Sequence, residues 1–145
     1  VEAKRNPKSV VDMQFSMPFG AAVALLYGQA SLAEFTMEVG QRPEVKEMMS
    51  RVHCVTDPAL DALYPQQWPA WVEVATTDGR TLRSQTEYPK GDPQNALTWQ
   101  EMKDKFTNLS APVISQERQE QIISAIEGLE NMADVRELAG LLTVE

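Results

Sequence analysis

Residues 12–28, with the sequence DMQFSMPFGAAVALLYG, form a run that is apolar on nearly every side of a helix. Ser16 can cap the first turn, Pro18 suits an early helical position, and Gly28 suits the left-handed residue that closes a helix. A helix that is apolar all round has to be buried nearly all round. We therefore predict a central, buried helix, which at about a dozen residues is too short for a bilayer span of about 20.

Two stretches in the middle of the chain alternate between polar and apolar residues, which is typical of strands. Residues 51–56 predict a strand with one buried face. Residues 71–77 and 80–87 flank Asp78-Gly79, a pair that favours a hairpin with a two-residue turn.

Capping residues mark the predicted helices that surround these strands. Ser31 and Glu34 have capping-box spacing and predict a short helix, and Thr98 and Glu101 have the same spacing before a longer one. Further helices are predicted to begin at Pro43, after Ser115 and at Asp134. Together the pattern predicts an α+β fold, a two-layer domain with a small, mainly antiparallel sheet covered by helices from both ends of the chain.

Composition and charge narrow the class of protein. With 145 residues, 43% hydrophobic and 23% charged, the chain is expected to form one soluble globular domain over residues 1–145. The net charge of −8 argues against a nucleic-acid surface. No signal peptide or membrane span is visible. The single Cys54 excludes an internal disulfide and favours a reducing, cytoplasmic location.

The chemical inventory of the chain is small. His53 is its only histidine, so a His–His arrangement within the chain is excluded. Neighbouring residues on a strand point to opposite faces, so His53 and Cys54 do not form a metal site, and we expect Cys54 to be a small buried apolar group. The glycines lack a phosphate-binding spacing. No metal or cofactor is predicted.

Six segments occur in a fixed order along the chain: FSMPFGAAVALLYG, SLAEFT, RPEVKEMMSRV, Asp57-Pro58, WVEVATTDGRTL and KGDPQNALTWQEMKDKF. Their order and spacing over residues 7–142 resemble the C-terminal part of the MmgE/PrpD family, also called the 2-methylcitrate dehydratase family. The resemblance implies a two-domain protein in which a large all-helical domain carries most of the catalytic groups. The smaller α+β domain closes over the pocket. We therefore expect an N-terminal helical domain, absent from this chain, as its partner.

The same resemblance implies a reaction class. Family members dehydrate 2-methylcitrate, decarboxylate cis-aconitate or epimerise iminodisuccinate. It thus implies a lyase or isomerase for a small di- or tricarboxylate, independent of metals and cofactors, and it suggests a homodimer. The alternative is a stand-alone, non-catalytic interaction domain that kept the fold. Helical sequence upstream of Val1 would favour the enzyme.

The resemblance also implies which residues face the substrate. The family's small domain contributes a lysine from a KPYP-like segment, which would lie upstream of Val1, and a tyrosine that maps onto Phe19. Gln14 and Ser16 lie within about a turn of Phe19 and either supply polar contacts or cap helices. The substrate-pocket candidates are therefore Phe19, Gln14 and Ser16. No residue of the chain is assigned a catalytic role, and the isolated chain is expected to be inactive.

Phenylalanine keeps the ring of the family's tyrosine but loses its hydroxyl, the only group there that could donate a proton. If the buried helix begins at a shared pocket, Phe19 should face a concave or exposed apolar surface in this chain. Phe19→Tyr should then change substrate preference or rate and leave folding nearly unchanged.

Overall fold

A computed structural model describes residues 2–143 of the chain, with side chains described from residue 4 onward. The chain divides into two compact units, residues 1–62 (unit 1) and residues 63–145 (unit 2). The prediction of a single domain is not tested by this division and stays a prediction.

In unit 1 a short 3-10 helix (Glu2–Arg5) precedes the helices α1 (Val10–Gln14), α2 (Met17–Tyr27), α3 (Met37–Gln41), α4 (Pro43–Arg51) and α5 (Pro58–Asp61). Unit 2 contains β1 (Ala70–Ala75), β2 (Thr81–Thr86), α6 (Trp99–Ser110), α7 (Gln116–Glu127) and α8 (Arg136–Leu141), with 3-10 turns at Pro93–Asn95 and Leu129–Asn131.

Helix α2 has the predicted ends. The Ser16 hydroxyl accepts a hydrogen bond from the Phe19 backbone N–H, and Gly28 closes the helix in the left-handed conformation at φ 74°. The expected burial on nearly every side is wrong, because Leu25 is 49% exposed. Only one side of α2 is packed, where Pro18, Phe19, Ala22 and Val23 are buried.

The core of unit 1 forms where this side of α2 meets its neighbours. Val45 and Met49 of α4 and Val39 of α3 are buried in the same cluster. Met13 of α1 joins them, and Phe35 packs at the edge of the cluster. Burying an aliphatic or aromatic side chain of this size contributes about 1.5–3 kcal/mol, so this cluster is the main source of stability in unit 1.

Two predicted elements of unit 1 do not form. Residues 31–36 make turns instead of a helix, because the Glu34 carboxylate closes one turn back onto Ser31 and Thr36 then begins α3 as its N-cap. The predicted strand at residues 51–56 is also wrong. Helix α4 continues to Arg51, and residues 52–57 are irregular. Alternation favours a strand only where a second strand is available to pair with it.

Unit 2 contains the predicted β-hairpin. Strands β1 and β2 pair antiparallel, with Ala70 opposite Thr86 and Ala75 opposite Thr81. The turn is longer than expected, because the Thr76 N–H bonds to the Arg80 carbonyl and leaves three residues between them. Gly79 has φ 85°, as the left-handed position of a three-residue turn requires. The predicted α+β class with an antiparallel sheet is confirmed, although the side chains of both strands are exposed or half-buried.

The helices of unit 2 begin where the capping signals predict. Thr98 and Glu101 form a complete capping box at α6, and the Ser115 hydroxyl caps α7. The last helix begins at Arg136, two residues later than expected, because the Asp134 carboxylate bonds to the Arg136 N–H as the turn before it. In the part of unit 2 that the structure describes, only Gln119 and Ile122 are buried.

Candidate functional site

The three predicted pocket residues lie where α1 meets α2, at residues 11–19, which we call the α1–α2 corner. Ser9 caps α1 and Ser16 caps α2, so each short helix has its own start signal. Phe15 and Ser16 lie between the two helices. Gln14, Ser16 and Phe19 lie close together in sequence, but they differ in burial and in hydrogen bonding.

Ser16 is a capping residue. Its side chain is buried, its hydroxyl accepts the Phe19 N–H at 3.2 Å, and the same hydroxyl donates to the Lys4 carbonyl at 2.6 Å. Its hydroxyl proton is committed to Lys4, so this geometry favours the capping role over a contact with substrate.

Phe19 is completely buried, with 0% of its surface exposed. Its ring meets the Phe35 ring edge-on, with centroids 5.2 Å apart and planes at 72°. The expectation that Phe19 faces an exposed or concave surface in this chain is therefore wrong. Met13 and Phe35, which the sequence pattern did not connect with α2, lie in the same cluster.

The exposed part of the α1–α2 corner lies next to Phe19 in sequence. Gln14 is exposed, Phe15 is 69% exposed and Met17 is 72% exposed. The Lys4 ammonium lies 5.9 Å from the centroid of the Phe15 ring. The corner thus has an exposed amide and two exposed apolar side chains close together in sequence, and Lys4, outside the corner, brings a cation to Phe15.

Acidic groups near the corner are held in hydrogen bonds. The Asp12 carboxylate accepts the Lys8 N–H at 2.9 Å, and this bond, followed by the one from Ser9, lowers the pKa of Asp12. Burial would raise the pKa of Glu34, but hydrogen bonds from Ser31 and Gln29 outweigh it and the pKa is lowered. Both side chains are ionised near neutral pH and act as acceptors, so neither is a general acid there.

His53 and Cys54 lie on the irregular segment after α4, and both are exposed. The prediction that Cys54 is buried is wrong, because the strand expected to bury it does not form. No group of three or more His, Cys, Asp or Glu side chains that could hold a metal ion occurs within residues 2–143.

A concave surface that the sequence pattern did not indicate lies between α6 and α7. It is an open groove of about 490 Å³ lined by Thr107, Ala111, Ile114, Gln119 and Ile123, among others. The buried Gln119 amide donates to the Thr107 carbonyl at 3.0 Å and to the Ser110 hydroxyl at 2.9 Å. Gln119 thus joins the two helices, and the groove lacks the cations that a carboxylate ligand needs.

Comparison with known proteins decides the family. The sequence profile of the MmgE/PrpD C-terminal domain matches residues 1–131. The chain belongs to the MmgE/PrpD family. The predicted resemblance is thereby confirmed, and unit 1 with most of unit 2 lies inside the matched range.

Relatives within the MmgE/PrpD family are named for one reaction. The chain is 29% identical over 143 residues to the cis-aconitate decarboxylase-like protein oryM of Aspergillus oryzae, a match that covers 98% of this chain and 29% of that protein. It is 24% identical over 140 residues to the cis-aconitate decarboxylases of Mus musculus and Homo sapiens, covering 94% of this chain and 28% of each. The chain therefore spans less than a third of the length of these relatives. Across residues 2–143, no helix is long and apolar enough to cross a membrane.

Proposed function

We propose that this chain is the small domain of an MmgE/PrpD lyase that acts on a small di- or tricarboxylate, with cis-aconitate decarboxylation as the reaction. The observation that carries the proposal is the match over 98% of the chain to a cis-aconitate decarboxylase-like protein. This reaction takes precedence over the 2-methylcitrate dehydration that the sequence resemblance first suggested. The helical remainder of the protein is its proposed partner, a homodimer is the proposed assembly, and the cytoplasmic location stays a prediction.

Decarboxylation of cis-aconitate breaks a carbon–carbon bond, releases CO₂ and leaves an electron pair that a proton must quench. The enzyme therefore needs an acid near the reacting carbon and cations for the remaining carboxylates. Asp12, Glu34 and Glu101 have lowered pKa values and are poor acids at neutral pH. The acid is therefore expected from the rest of the protein, and the isolated chain is expected to be inactive.

The α1–α2 corner is the part of this chain that we assign to the pocket. Gln14 offers an amide for a carboxylate oxygen, and Lys4 offers a cation in a chain whose net charge is −8. Phe15 and Met17 offer an apolar wall that excludes water. Phe19 lies behind this surface and shapes it from within.

The residue at position 19 of this chain differs from the family pattern. The family resemblance gives a tyrosine at this position, so an enzyme built from this chain lacks that hydroxyl. Gln14 is the exposed polar side chain nearest in sequence to the pocket wall and is our candidate to replace it.

A chimera tests the proposed function. Residues 1–143 of this chain replace the matching segment of the Aspergillus oryzae protein, and CO₂ release from cis-aconitate is measured beside 2-methylcitrate and iminodisuccinate. We expect cis-aconitate to be turned over above the level of the Aspergillus helical portion alone. Gln14→Ala should lower kcat/KM by about tenfold if its amide binds a charged carboxylate, whereas Gln121→Ala, at an exposed position of α7, is the matched amide control.

Phe19→Tyr in the same chimera places the family's hydroxyl inside the core of unit 1, so we expect it to lower stability and to leave the turnover of cis-aconitate unchanged. A chimera that elutes as a folded protein and unfolds cooperatively, yet turns over none of the three substrates, would refute the proposed function. Turnover of 2-methylcitrate alone would keep the lyase class and reject the decarboxylase assignment.

A further inference from the structure

The segment before α2 contributes to the core cluster that contains Phe19. We call residues 4–15 the cover. Within it Pro7 and Met13 are buried, whereas most of the residues between them are exposed. A Cβ atom built on Gly40 would lie 2.2 Å from the Met13 Cε atom and 3.8 Å from the Phe19 Cε2 atom. Met13 and the Phe19 ring therefore pack against the same glycine, in the same core layer.

Two polar contacts hold the start of the cover. The Arg5 guanidinium donates to the Met49 carbonyl at 2.6 Å and to the Val52 carbonyl at 2.5 Å, at the C-terminal end of α4. The last carbonyls of a helix lack intrahelical donors and carry partial negative charge, so a cation is favoured there. The second contact is the bond from the Ser16 hydroxyl to the Lys4 carbonyl.

The cover has little stability of its own. Helix α1 has five residues, far below the length at which an isolated helix is stable in water. Helices α2 and α4 also pack against each other, with Val23 of α2 and Val45 of α4 in the same buried cluster. Local opening of a weakly held segment is therefore possible while the remaining core stays intact.

We propose that residues 4–15 are an opening cover over Phe19 and that Arg5 is its latch. Release of the Arg5 side chain frees the start of the segment, Met13 leaves the core, and the Phe19 ring becomes accessible. The significance of this opening for substrate rests on the proposed function, since it requires the start of α2 to border the pocket. The opening of the cover itself does not depend on the proposed function.

Thiol labelling tests the cover in the full 145-residue chain. Cys54→Ser removes the exposed native thiol. Phe19→Cys introduces a reporter under the cover, and because it also empties part of a fully buried site, its circular dichroism is compared with that of the native chain before labelling. Adding Arg5→Gln should raise the labelling rate at position 19 by about tenfold or more, because it removes hydrogen bonds from a charged donor. Lys8→Gln removes a positive charge from an exposed position of the same segment and should leave the rate unchanged.

A second reporter separates opening of the cover from unfolding of unit 1. Val45→Cys lies in the buried core on α4, outside the cover, and its labelling rate should not respond to Arg5→Gln. Equal acceleration at positions 19 and 45 would show that Arg5 only stabilises the whole unit, and would overturn the proposal. An unchanged rate at position 19 would overturn it as well.

Hydrogen exchange provides a measurement that keeps Phe19 and its packing. In Arg5→Gln, amides of α1 and of the first turn of α2 should exchange faster, while those of α4 from Val45 to Met49 keep their protection. Uniform loss of protection contradicts the proposal. None of these measurements depends on turnover. An inactive chimera would therefore reject the proposed function without contradicting the proposed opening of the cover.

Discussion

Unit 1 and unit 2 are stabilised in different ways. Of the eight buried hydrophobic side chains in the described part of the chain, seven lie in unit 1 and only Ile122 lies in unit 2, although unit 2 is longer. Unit 2 instead contains a hairpin, a complete capping box at α6 and a hydroxyl cap at α7. Unit 1 therefore depends on side-chain packing, whereas unit 2 depends mainly on local backbone motifs.

The apolar faces of unit 2 explain this difference. Met102 and Leu109, seven residues apart on one face of α6, are exposed, and so is Val113 just after that helix. Val72 and Leu82 of the hairpin are exposed as well. Large exposed apolar surfaces mark places that are covered in an assembly. This supports the proposal that the chain works within a larger protein.

Truncating one aromatic side chain in each unit tests the difference in stabilisation with the largest expected effect. Phe19→Ala should destabilise unit 1 by about 3–5 kcal/mol, because it empties a completely buried site. Trp99→Ala in unit 2 should cost less, about 1.5–3 kcal/mol, because Trp99 is 45% exposed and the main loss is its hydrogen bond to the Glu127 carboxylate. Urea unfolding of both variants measures the two costs, and equal costs would contradict the contrast.

Gly40→Ala tests how tightly unit 1 is packed. The new methyl group would meet the Met13 Cε atom at 2.2 Å, so Met13 has to move within the core. We expect a cost of about 1–3 kcal/mol in the free energy of unfolding. In a Met13→Ala background the same change should cost almost nothing. A double-mutant cycle measures this coupling, and a coupling energy near zero would show that the two residues do not share one layer.

Local signals account for the elements that were predicted well. The ends of α2 depend on Ser16 and Gly28, and the start of α6 depends on Thr98 and Glu101. Asp78-Gly79 likewise identified the hairpin, although the turn has three residues. In each case the decisive contacts lie within four residues in sequence, which a pattern can show.

Nonlocal contacts explain what the sequence pattern missed. Burial of Phe19 depends on Met13 and Phe35, whose approach to α2 leaves no periodic signal. Alternation at residues 51–56 carried no information about a partner strand, so the predicted strand and the burial of Cys54 both failed. The place of the candidate site in the chain stays a prediction, and the burial of Phe19 could not be read from the sequence pattern.

Thr98→Ala tests the dependence of unit 2 on local motifs. It removes the hydroxyl that accepts the Glu101 N–H and donates to the Glu101 carboxylate at the start of α6. Loss of such a cap costs about 0.5–2 kcal/mol. Amide exchange should accelerate in the first turns of α6 and stay unchanged in α2. Thr98→Ser keeps a hydroxyl and should behave as the native chain; an effect as large as that of alanine would show that the methyl group matters.

The smallest expected effect concerns the pH dependence of the same cap. The Thr98 N–H, the Lys90 ammonium and the Thr98 hydroxyl lower the pKa of Glu101 to about 2, from an ordinary value of 4.5. The unfolded chain therefore takes up the proton first as the pH falls. The stabilisation by Glu101 is fully present above about pH 4.5, declines below it and is lost near pH 2.

Glu101→Gln keeps a side chain that can still accept the Thr98 N–H but cannot ionise. The difference in Tm between the native chain and Glu101→Gln should be constant from pH 7 to pH 5 and should shrink towards pH 2. A difference that does not change with pH would show that the carboxylate contributes through its shape and hydrogen bonds, without its charge.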